Sequence, residues 1–327
     1  MRGRGGSQRE KASLRQAFGE ALVELGAEDE RVVVLTADLA GSTQTKLFAA
    51  RFPERFFNLG ITEANMMALA AGLAMSGKKP FVSTFAIFAT GKPWEQVRQA
   101  IAYQSAPVRI VATHAGLTVG EDGASHQMLE DINNMRVLPN MDVVVPADAV
   151  ETKQVIHALK DHDSNPVYVR LARASFPVVF DDDYEFTFGK AGVLREGGDV
   201  TLFACGLMVH QSLEAAELLA ERGISAEVVN VSTIKPLDLE TIISSASKTR
   251  AAVSAEEHQV IGGLGSALAE VIAEHCPVPL ERVGVQGRFG QSGSAWELIE
   301  YYGLTPEGIA EAAMRALKLK RKGNEKR

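Results

Sequence analysis

Cysteine is scarce in this sequence, and long apolar runs are missing from it. Only Cys205 and Cys276 occur among the 327 residues, so the sequence offers neither a disulfide framework nor the spacing of a zinc site. Glycine or a charged residue interrupts every apolar stretch before it reaches membrane-spanning length, and the first residues contain no hydrophobic signal region. The sequence therefore predicts a cytoplasmic protein with no membrane partner and no metal ligands of its own.

Basic charge is also in short supply. The 34 Lys and Arg residues are outnumbered by 41 Asp and Glu residues, which gives a net charge of −7. Nucleic acids are bound by concentrated basic surfaces, so this composition predicts no nucleic-acid partner. The exceptions are the chain ends, which are short, polar and rich in Gly, Lys or Arg. We therefore expect a flexible tail at 1–12 and a basic tail at 318–327.

Two series of apolar segments alternate with helical patterns along the chain. The first series predicts strands at 31–36, 80–84, 108–113, 141–145 and 166–170. A polar, acidic segment at 181–185 then precedes a second series, which predicts strands at 199–204, 225–231, 251–255 and 281–285. Helical patterns such as 63–75 separate the strands, and this alternation indicates parallel sheets covered on both faces. The length of the chain favours two α/β domains.

Glu63 is the first candidate for chemistry, because it is an acid at the start of an almost wholly apolar helix. A carboxylate there could simply stabilise the helix N-terminus, where an acid gains up to about 1 kcal/mol. It could also be a buried group kept for proton transfer, with its pKa raised by desolvation. The residue pattern alone leaves both interpretations open.

The second candidate is a polar loop that follows a predicted strand. Its sequence, THAGLTVGEDGASHQ over 113–127, combines three glycines, two histidines and an acidic pair. Ligand sites of open α/β sheets lie at the carboxyl ends of strands, which favours a functional loop. A plain turn is the alternative, because His114 and His126 lack a spacing that indicates a metal site.

Phe85 and Phe88 are the third candidate, in the segment STFAIF next to a strand end. Two phenylalanines three residues apart are usually core residues. They could instead pack against a flat heterocycle, since aromatic rings favour such contacts.

Taken together, these segments resemble a known family. ITEANMMALAAGLA, STFAIF, THAGLTVGEDGASHQ, PADAVE and EEHQVIGGLGSAL occur in the order found in the C-terminal half of transketolase. The resemblance covers about residues 13–315. It implies an α/β fold of two domains, a parallel-sheet domain that binds the pyrimidine of thiamine diphosphate and a smaller α/β transketolase C-terminal domain. We place these domains at 13–180 and 189–317, with a linker at 181–188.

The resemblance also implies roles for individual residues. Glu63 matches the catalytic glutamate that hydrogen-bonds to a pyrimidine ring nitrogen of the cofactor, and His126 matches a second catalytic residue. The remaining cofactor-binding matches are Asp38, Phe85 and Phe88. The substrate-binding matches, for the phosphate, the hydroxyls and the reacting oxygen of a sugar phosphate, are Arg15, Ser42, His114, Asp122, His126 and Arg173.

One family motif is missing from this chain. Transketolases hold the diphosphate of the cofactor through Mg²⁺ with a Gly-Asp-Gly segment, and no GDG occurs in the sequence. The resemblance therefore implies a partner subunit that resembles the transketolase N-terminal half, carries the GDG motif and ligates the Mg²⁺. Active sites between subunits and an α2β2 assembly follow from it. The expected reaction is transfer of a two-carbon ketol unit from a ketose phosphate to an aldose phosphate.

Some positions depart from the family pattern. Gly91 stands where many transketolases have a tyrosine, and Thr62 and Ala64 flank Glu63 where Arg and His are usual. These departures leave the sugar preference open. The role of His258, near the domain junction, is also open between a structural and a functional one.

Three alternative functions stay open on the sequence. Two are thiamine-diphosphate enzymes as well, the β subunit of a 2-oxo acid dehydrogenase and a relative of 1-deoxyxylulose-5-phosphate synthase. The third is a non-catalytic regulatory or scaffold subunit that keeps the fold, because fold alone does not establish activity. The GEDGASHQ loop, together with Arg15, Ser42 and Arg173, favours transketolase.

Overall fold

A computed structural model describes residues 10–181 and 183–325 of the chain. They form two α/β units, each built on a mostly parallel sheet. This confirms the predicted fold class. Within the described residues, no helix is long and apolar enough to cross a membrane.

The first unit is built on a seven-stranded sheet. At one edge, β12 (Thr233–Lys235, from the second half of the chain) pairs antiparallel with β6, and the other strands follow in parallel in the order β6-β7-β5-β4-β2-β3. Every residue of the central strands is buried, because helices cover both faces of the sheet. The strands of the first unit are β1 (Lys11–Ala12), β2 (Val32–Thr36), β3 (Phe56–Asn58), β4 (Lys79–Ser83), β5 (Arg109–Ala112), β6 (Asp142–Val144), β7 (Val167–Arg170) and β8 (Phe176–Pro177). Strands β1 and β8 pair as a small separate sheet.

Helices connect these strands and supply both layers of the core. Leu22 and Leu25 of the first helix lie in one buried cluster with Val155 and Ile156, and Met66 lies in the cluster on the other side. The helices are α1 (Leu14–Glu28), α2 (Ala40–Thr43), α3 (Lys46–Arg51), α4 (Glu63–Met75), α5 (Ala86–Thr90), α6 (Trp94–Gln96), α7 (Asp131–Arg136) and α8 (Ala149–Ala158). Short 3₁₀ turns span 53–55 and 117–122, and a π-helical turn spans 97–102.

The second unit is a five-stranded sheet in the order β14-β13-β10-β11-β9, with β9 as its antiparallel edge. The strands from this half of the chain are β9 (Gly192–Arg195), β10 (Val200–Ala204), β11 (Ala226–Asn230), β12 (Thr233–Lys235), β13 (Ala252–Gln259) and β14 (Leu280–Val285). The helices are α9 (Met208–Ala220), α10 (Leu239–Thr249), α11 (Leu264–His275), α12 (Ala295–Tyr301) and α13 (Pro306–Glu325).

Strand β12 joins the two units. It comes from the second half of the chain but pairs with β6 at the edge of the first sheet, with Thr233 opposite Val144. The backbone N–H of Val145 donates to the carbonyl of Ser232 at 2.7 Å, and Lys235 Nζ donates to the carbonyl of Arg136 at 3.0 Å. The second unit is therefore fixed against the sheet edge of the first.

The predicted tails need correction. Residues 318–325 belong to α13, and Lys320 Nζ donates to the carbonyls of Asp199 and Thr249 at 3.0 and 2.7 Å. The helix continues because this basic residue has carbonyl acceptors on the second unit. At the other end, Lys11–Ala12 forms β1, whereas residues 1–9 of the predicted flexible tail lie outside the described residues, as do 326–327.

Candidate active site

The predicted site residues follow parallel strands at the same edge of the first sheet. Asp38 comes two residues after β2, Phe85 two after β4, His114 two after β5, and Arg173 three after β7. Because the carboxyl ends of parallel strands meet at one edge, residues far apart in sequence converge there. This edge is the ordinary place for a ligand site in an open α/β sheet.

Four aromatic side chains form a connected cluster at this edge. The rings of Phe85 and His114 stack with centroids 3.7 Å apart, and those of Phe85 and Phe88 are nearly parallel at 5.8 Å. His126 approaches Phe88 edge-on at 5.7 Å. Phe85 is buried and covered by His114 on one face, while Phe88 is only half-buried. Phe88 therefore offers the more accessible ring surface.

His114 is held neutral by its surroundings. Burial lowers its pKa to about 3 because it disfavours the imidazolium, and the nearby charges of Arg15 and Arg173 act in the same direction. Its Nδ1 lies 2.9 Å from Thr113 Oγ1. The backbone at His114 has a φ of 58°, a left-handed conformation that a non-glycine residue adopts at a cost and often at functional sites. At neutral pH this ring can therefore exchange hydrogen bonds without carrying charge.

Arg15 lies on α1 beside the same cluster. Its Nη1 donates to the backbone carbonyl of Ser42 at 2.8 Å. The contact between these two predicted residues therefore involves the backbone of Ser42 and not its hydroxyl group. Among the described residues, no hydrogen-bond partner reaches the buried Nε of Arg15. Burial lowers the pKa of Arg15, and the charge of Arg173 adds to the effect. Two cations close enough to influence each other, one with an unused donor, indicate a site for an anion.

Arg173 fastens the loop that carries the other polar candidates. Its Nη1 donates to the carbonyl of Val119 at 2.6 Å and to Glu121 Oε2 at 2.8 Å. The Arg173 side chain remains 39% exposed, so it can also reach a ligand. Arg173 therefore contacts the loop directly, and its charge helps to lower the pKa of Arg15 and of His114.

Glu63 is buried at the first position of α4, and the start of this helix at residue 63 agrees with the sequence pattern. Lys92 Nζ lies 3.2 Å from its Oε2, and the Lys92 side chain is 63% exposed while that of Glu63 is 3% exposed. A buried carboxylate that meets a solvent-facing ammonium has one partner that a ligand could displace. Helix stabilisation alone does not require this arrangement.

Asp38 and Asp122 are less closely integrated. Asp38 has a φ of 60° and exchanges hydrogen bonds with Asn58, whose Nδ2 donates to Asp38 Oδ1 at 3.2 Å. Asp122 is exposed at the end of the 3₁₀ turn. Within the described part of the chain, no hydrogen bond or ring contact joins either residue to the aromatic cluster. Their roles stay predictions.

Sequence reasoning missed Lys92 and Glu257. Lys92 directly follows Gly91 in the turn between α5 and α6, and its position four residues after Phe88 was a signal that could have placed it near the same edge. Glu257 is buried on β13, and its Oε1 accepts a hydrogen bond from the backbone N–H of Thr118 at 2.6 Å. No local pattern could connect them, because 139 residues separate the two partners.

The donor set fits the pyrimidine part of a thiamine-type cofactor. A buried carboxyl group with a displaceable partner lies at the same sheet edge as a half-buried aromatic ring. Among residues 10–181 and 183–325, no group of three or more His, Cys, Asp or Glu side chains is placed to hold a metal ion.

Comparisons with known proteins agree with this geometry. The family model described as the pyrimidine-binding domain of transketolase matches residues 10–178, and the model of the transketolase C-terminal domain matches residues 189–309. A putative transketolase C-terminal section of Methanocaldococcus jannaschii is 50% identical over 308 residues, covering 93% of this chain and 96% of that protein. A 6-deoxy-6-sulfo-D-fructose transketolase subunit of a Clostridium species is 45% identical, covering 92% and 93%.

A solved structure is similar over nearly the whole chain. It is described as a split gene transketolase, an inactive β4 tetramer, and it superposes with a TM-score of 0.88 at 51% sequence identity. The similarity covers 94% of this chain and 99% of that one.

Proposed function

Because the chain belongs to the transketolase family, we propose that it is the C-terminal-half subunit of a thiamine-diphosphate-dependent transketolase. It would transfer a two-carbon ketol unit from a ketose phosphate to an aldose phosphate, together with an N-terminal-half subunit. The observation that carries the proposal is the buried Glu63 at the same sheet edge as the Phe85–His114 cluster and two neighbouring arginines.

Glu63 is proposed to hold the cofactor. When bound, thiamine diphosphate supplies the carbon nucleophile that attacks the ketose carbonyl. Glu63 would give up its contact with Lys92 and share a proton with a pyrimidine ring nitrogen, while Phe88 supplies a ring face. Asp38 would lie near the cofactor. The Mg²⁺ and its GDG ligands are assigned to the partner subunit.

The polar residues of the cluster are proposed to bind the sugar. Arg15 and Arg173 would anchor the substrate phosphate through charge-assisted hydrogen bonds, helped by Ser42 and the neutral His114. His126 would move protons at the reacting oxygen, with Asp122 on the sugar hydroxyls. A sulfonate, as in the name of the Clostridium relative, is an anion of similar shape, so the same cations could take either group.

An exposed apolar surface supports the need for a partner. Helix α4 begins with Glu63 and is apolar on most of its surface, yet Leu69 is 38% and Met75 70% exposed, and Ile61 before it is 72% exposed. Large exposed apolar side chains along one helix indicate an interface, and this helix begins at the candidate site. We assign this surface to the N-terminal-half subunit in an α2β2 assembly. A similar split gene transketolase is described as an inactive β4 tetramer.

Reconstitution with the N-terminal-half subunit tests the function. The complex should transfer ketol units between sugar phosphates and require thiamine diphosphate and Mg²⁺. Condensation of pyruvate with glyceraldehyde 3-phosphate would favour the 1-deoxyxylulose-5-phosphate synthase alternative, and decarboxylation of branched 2-oxo acids the dehydrogenase alternative. If adding this chain left the turnover of the partner unchanged, the chain would be a non-catalytic scaffold subunit.

Titration of the isolated chain tests the split site. Calorimetry should show only weak binding of thiamine diphosphate, because the chain provides the pyrimidine half of the site. Tight, Mg²⁺-dependent binding by this chain alone would contradict the split.

A further inference from the structure

The second unit touches the substrate loop, which we define as residues 116–128. The contact is made by β13 and by the segment 290–293 before α12, and both belong to the second unit. The loop carries Asp122 and His126 and accepts the Arg173 hydrogen bond at Val119. Any element that fixes the loop therefore also fixes these three side chains relative to one another.

Glu257 makes the central contact. Its Oε1 accepts the Thr118 backbone N–H at 2.6 Å, and both residues are buried. The backbone is packed so closely here that a Cβ on Gly116 would come within 2.4 Å of Glu257 Oε1, and Gly116 has a φ of +82°. A glycine at 116 is thus required both by conformation and by the carboxylate. Arg170 Nη2 in turn donates to the Glu257 carbonyl at 2.9 Å.

A second contact fastens the other end of the loop. Gln127 Nε2 donates to the carbonyl of Gln291 at 2.9 Å, and to the carbonyls of Leu117 and Gly120 within the loop at 3.3 and 3.1 Å. A Cβ on Gly290 would lie 1.8 Å from Gln127 Oε1. The loop is therefore held at both ends by groups of the second unit.

Burying a carboxylate at a contact between two units costs desolvation free energy. Burial raises the pKa of Glu257, and the charge of Arg170 and the Thr118 N–H offset this only in part. Its neighbour Glu256 is equally buried but serves its own unit, where it accepts from the backbone N–H groups of Leu264 and Gly265 at the start of α11. The two adjacent acids thus divide between internal capping and contact with the loop.

We propose that the second unit clamps the substrate loop in its working conformation and that Glu257, through the Thr118 N–H, is a positioning residue for the transferase reaction. The kinetic part of this proposal rests on the proposed function, whereas the structural part concerns this chain alone. Positioning matters because small displacements of substrate-binding groups cost large factors in rate.

Hydrogen exchange of the isolated chain tests the clamp. Glu257→Met removes the acceptor at similar side-chain length and should speed amide exchange of peptides spanning 116–128 about tenfold or more, because a buried N–H loses its partner. Glu257→Gln keeps an acceptor oxygen and should restore most of the protection. The matched control is Glu256→Met, which should loosen the start of α11 and leave the loop as it is.

Kinetics of the reconstituted complex separate positioning from general destabilisation. Glu257→Met should lower kcat/KM for ketol transfer about 10- to 100-fold. Exchange of the cofactor C2 proton, which depends on Glu63, should stay within about twofold of the wild type. If Glu257→Met does not fold, Gln127→Leu removes the second contact and should likewise speed loop exchange.

Unchanged loop exchange in Glu257→Met would overturn the clamp, as would an equal effect of Glu256→Met on the loop. Faster loop exchange with unchanged kinetics would limit Glu257 to a structural role and overturn the positioning part. A wild-type complex inactive on sugar phosphates, combined with faster loop exchange in Glu257→Met, would contradict the proposed function and retain the clamp.

Discussion

Arg173→Ala is the sharpest test of the substrate class. Arg173 follows β7 and Arg15 lies on α1, yet the charge of Arg173 helps to lower the pKa of Arg15, and both charges help to lower the pKa of His114. If both guanidinium groups bind one phosphate, removing Arg173 should weaken binding of phosphorylated sugars and spare unphosphorylated donors such as hydroxypyruvate.

The structure sets the expected magnitude. A hydrogen bond to a charged group is worth about 1.5 to 3 kcal/mol. Arg173 is 39% exposed and already uses Nη1 for Val119 and Glu121, so we expect the lower part of that range. About 1.5 to 2 kcal/mol corresponds to a KM increase of about 10- to 30-fold, because a factor of ten is about 1.4 kcal/mol.

Steady-state kinetics of the complex with ketose phosphate and with hydroxypyruvate provide the assay. Glu121→Gln is the matched control, since it removes the exposed ion pair with Arg173 but leaves the Val119 contact, and KM should change less than about twofold. An equal loss for both donors in Arg173→Ala would refute phosphate recognition and make Arg173 a residue that only holds the loop.

Three further predictions concern the cofactor and stability. In the complex, Glu63→Gln should slow exchange of the cofactor C2 proton by about 10²- to 10⁴-fold without unfolding the chain. Near-normal exchange would show that Glu63 only stabilises the N-terminus of its helix. Lys92→Met should tighten cofactor binding in the complex by up to about fivefold, the range of a partly exposed ion pair, whereas weaker binding in calorimetry would show that Lys92 contacts the cofactor itself. Burial lowers the pKa of His258 to about 4, so between about pH 6.5 and pH 4 the unfolded chain binds a proton at this residue and the folded chain does not. The free energy of unfolding therefore falls as the pH is lowered, by roughly 3 kcal/mol at most. Urea midpoints measured from pH 7 to 5 should decline less steeply in His258→Gln, and an unchanged slope would show that His258 does not contribute.

Local patterns in the sequence determined the alternation of strands and helices, the class of fold and the family. The apolar stretch after Glu63 predicts a helix at 63–75, and α4 has these bounds. The buried strands follow from runs such as VVVLT, because a strand covered on both faces needs apolar residues at every position. The same segments place the candidate residues after strands, and hence at one edge of the sheet.

Tertiary contacts override the local pattern at the end of one strand. We predicted that the third strand of the second series, at 251–255, ends before the charged residues 256–258, yet β13 continues to Gln259 with Glu256, Glu257 and His258 buried. Charged residues normally end a buried strand because desolvation is costly. Here backbone N–H groups of α11 donate hydrogen bonds to Glu256, and that of Thr118 donates to Glu257, which offsets part of the desolvation cost of the two acids.

Contacts between distant segments could not be predicted from the sequence either. The pairing of β12 with β6 and the approach of Lys92 to Glu63 depend on the path of the chain between the partners. So does the bond from Thr118 to Glu257. Periodicity reports how one segment distributes its side chains between core and solvent. It contains no distance between segments, because that distance is set only when all elements pack together.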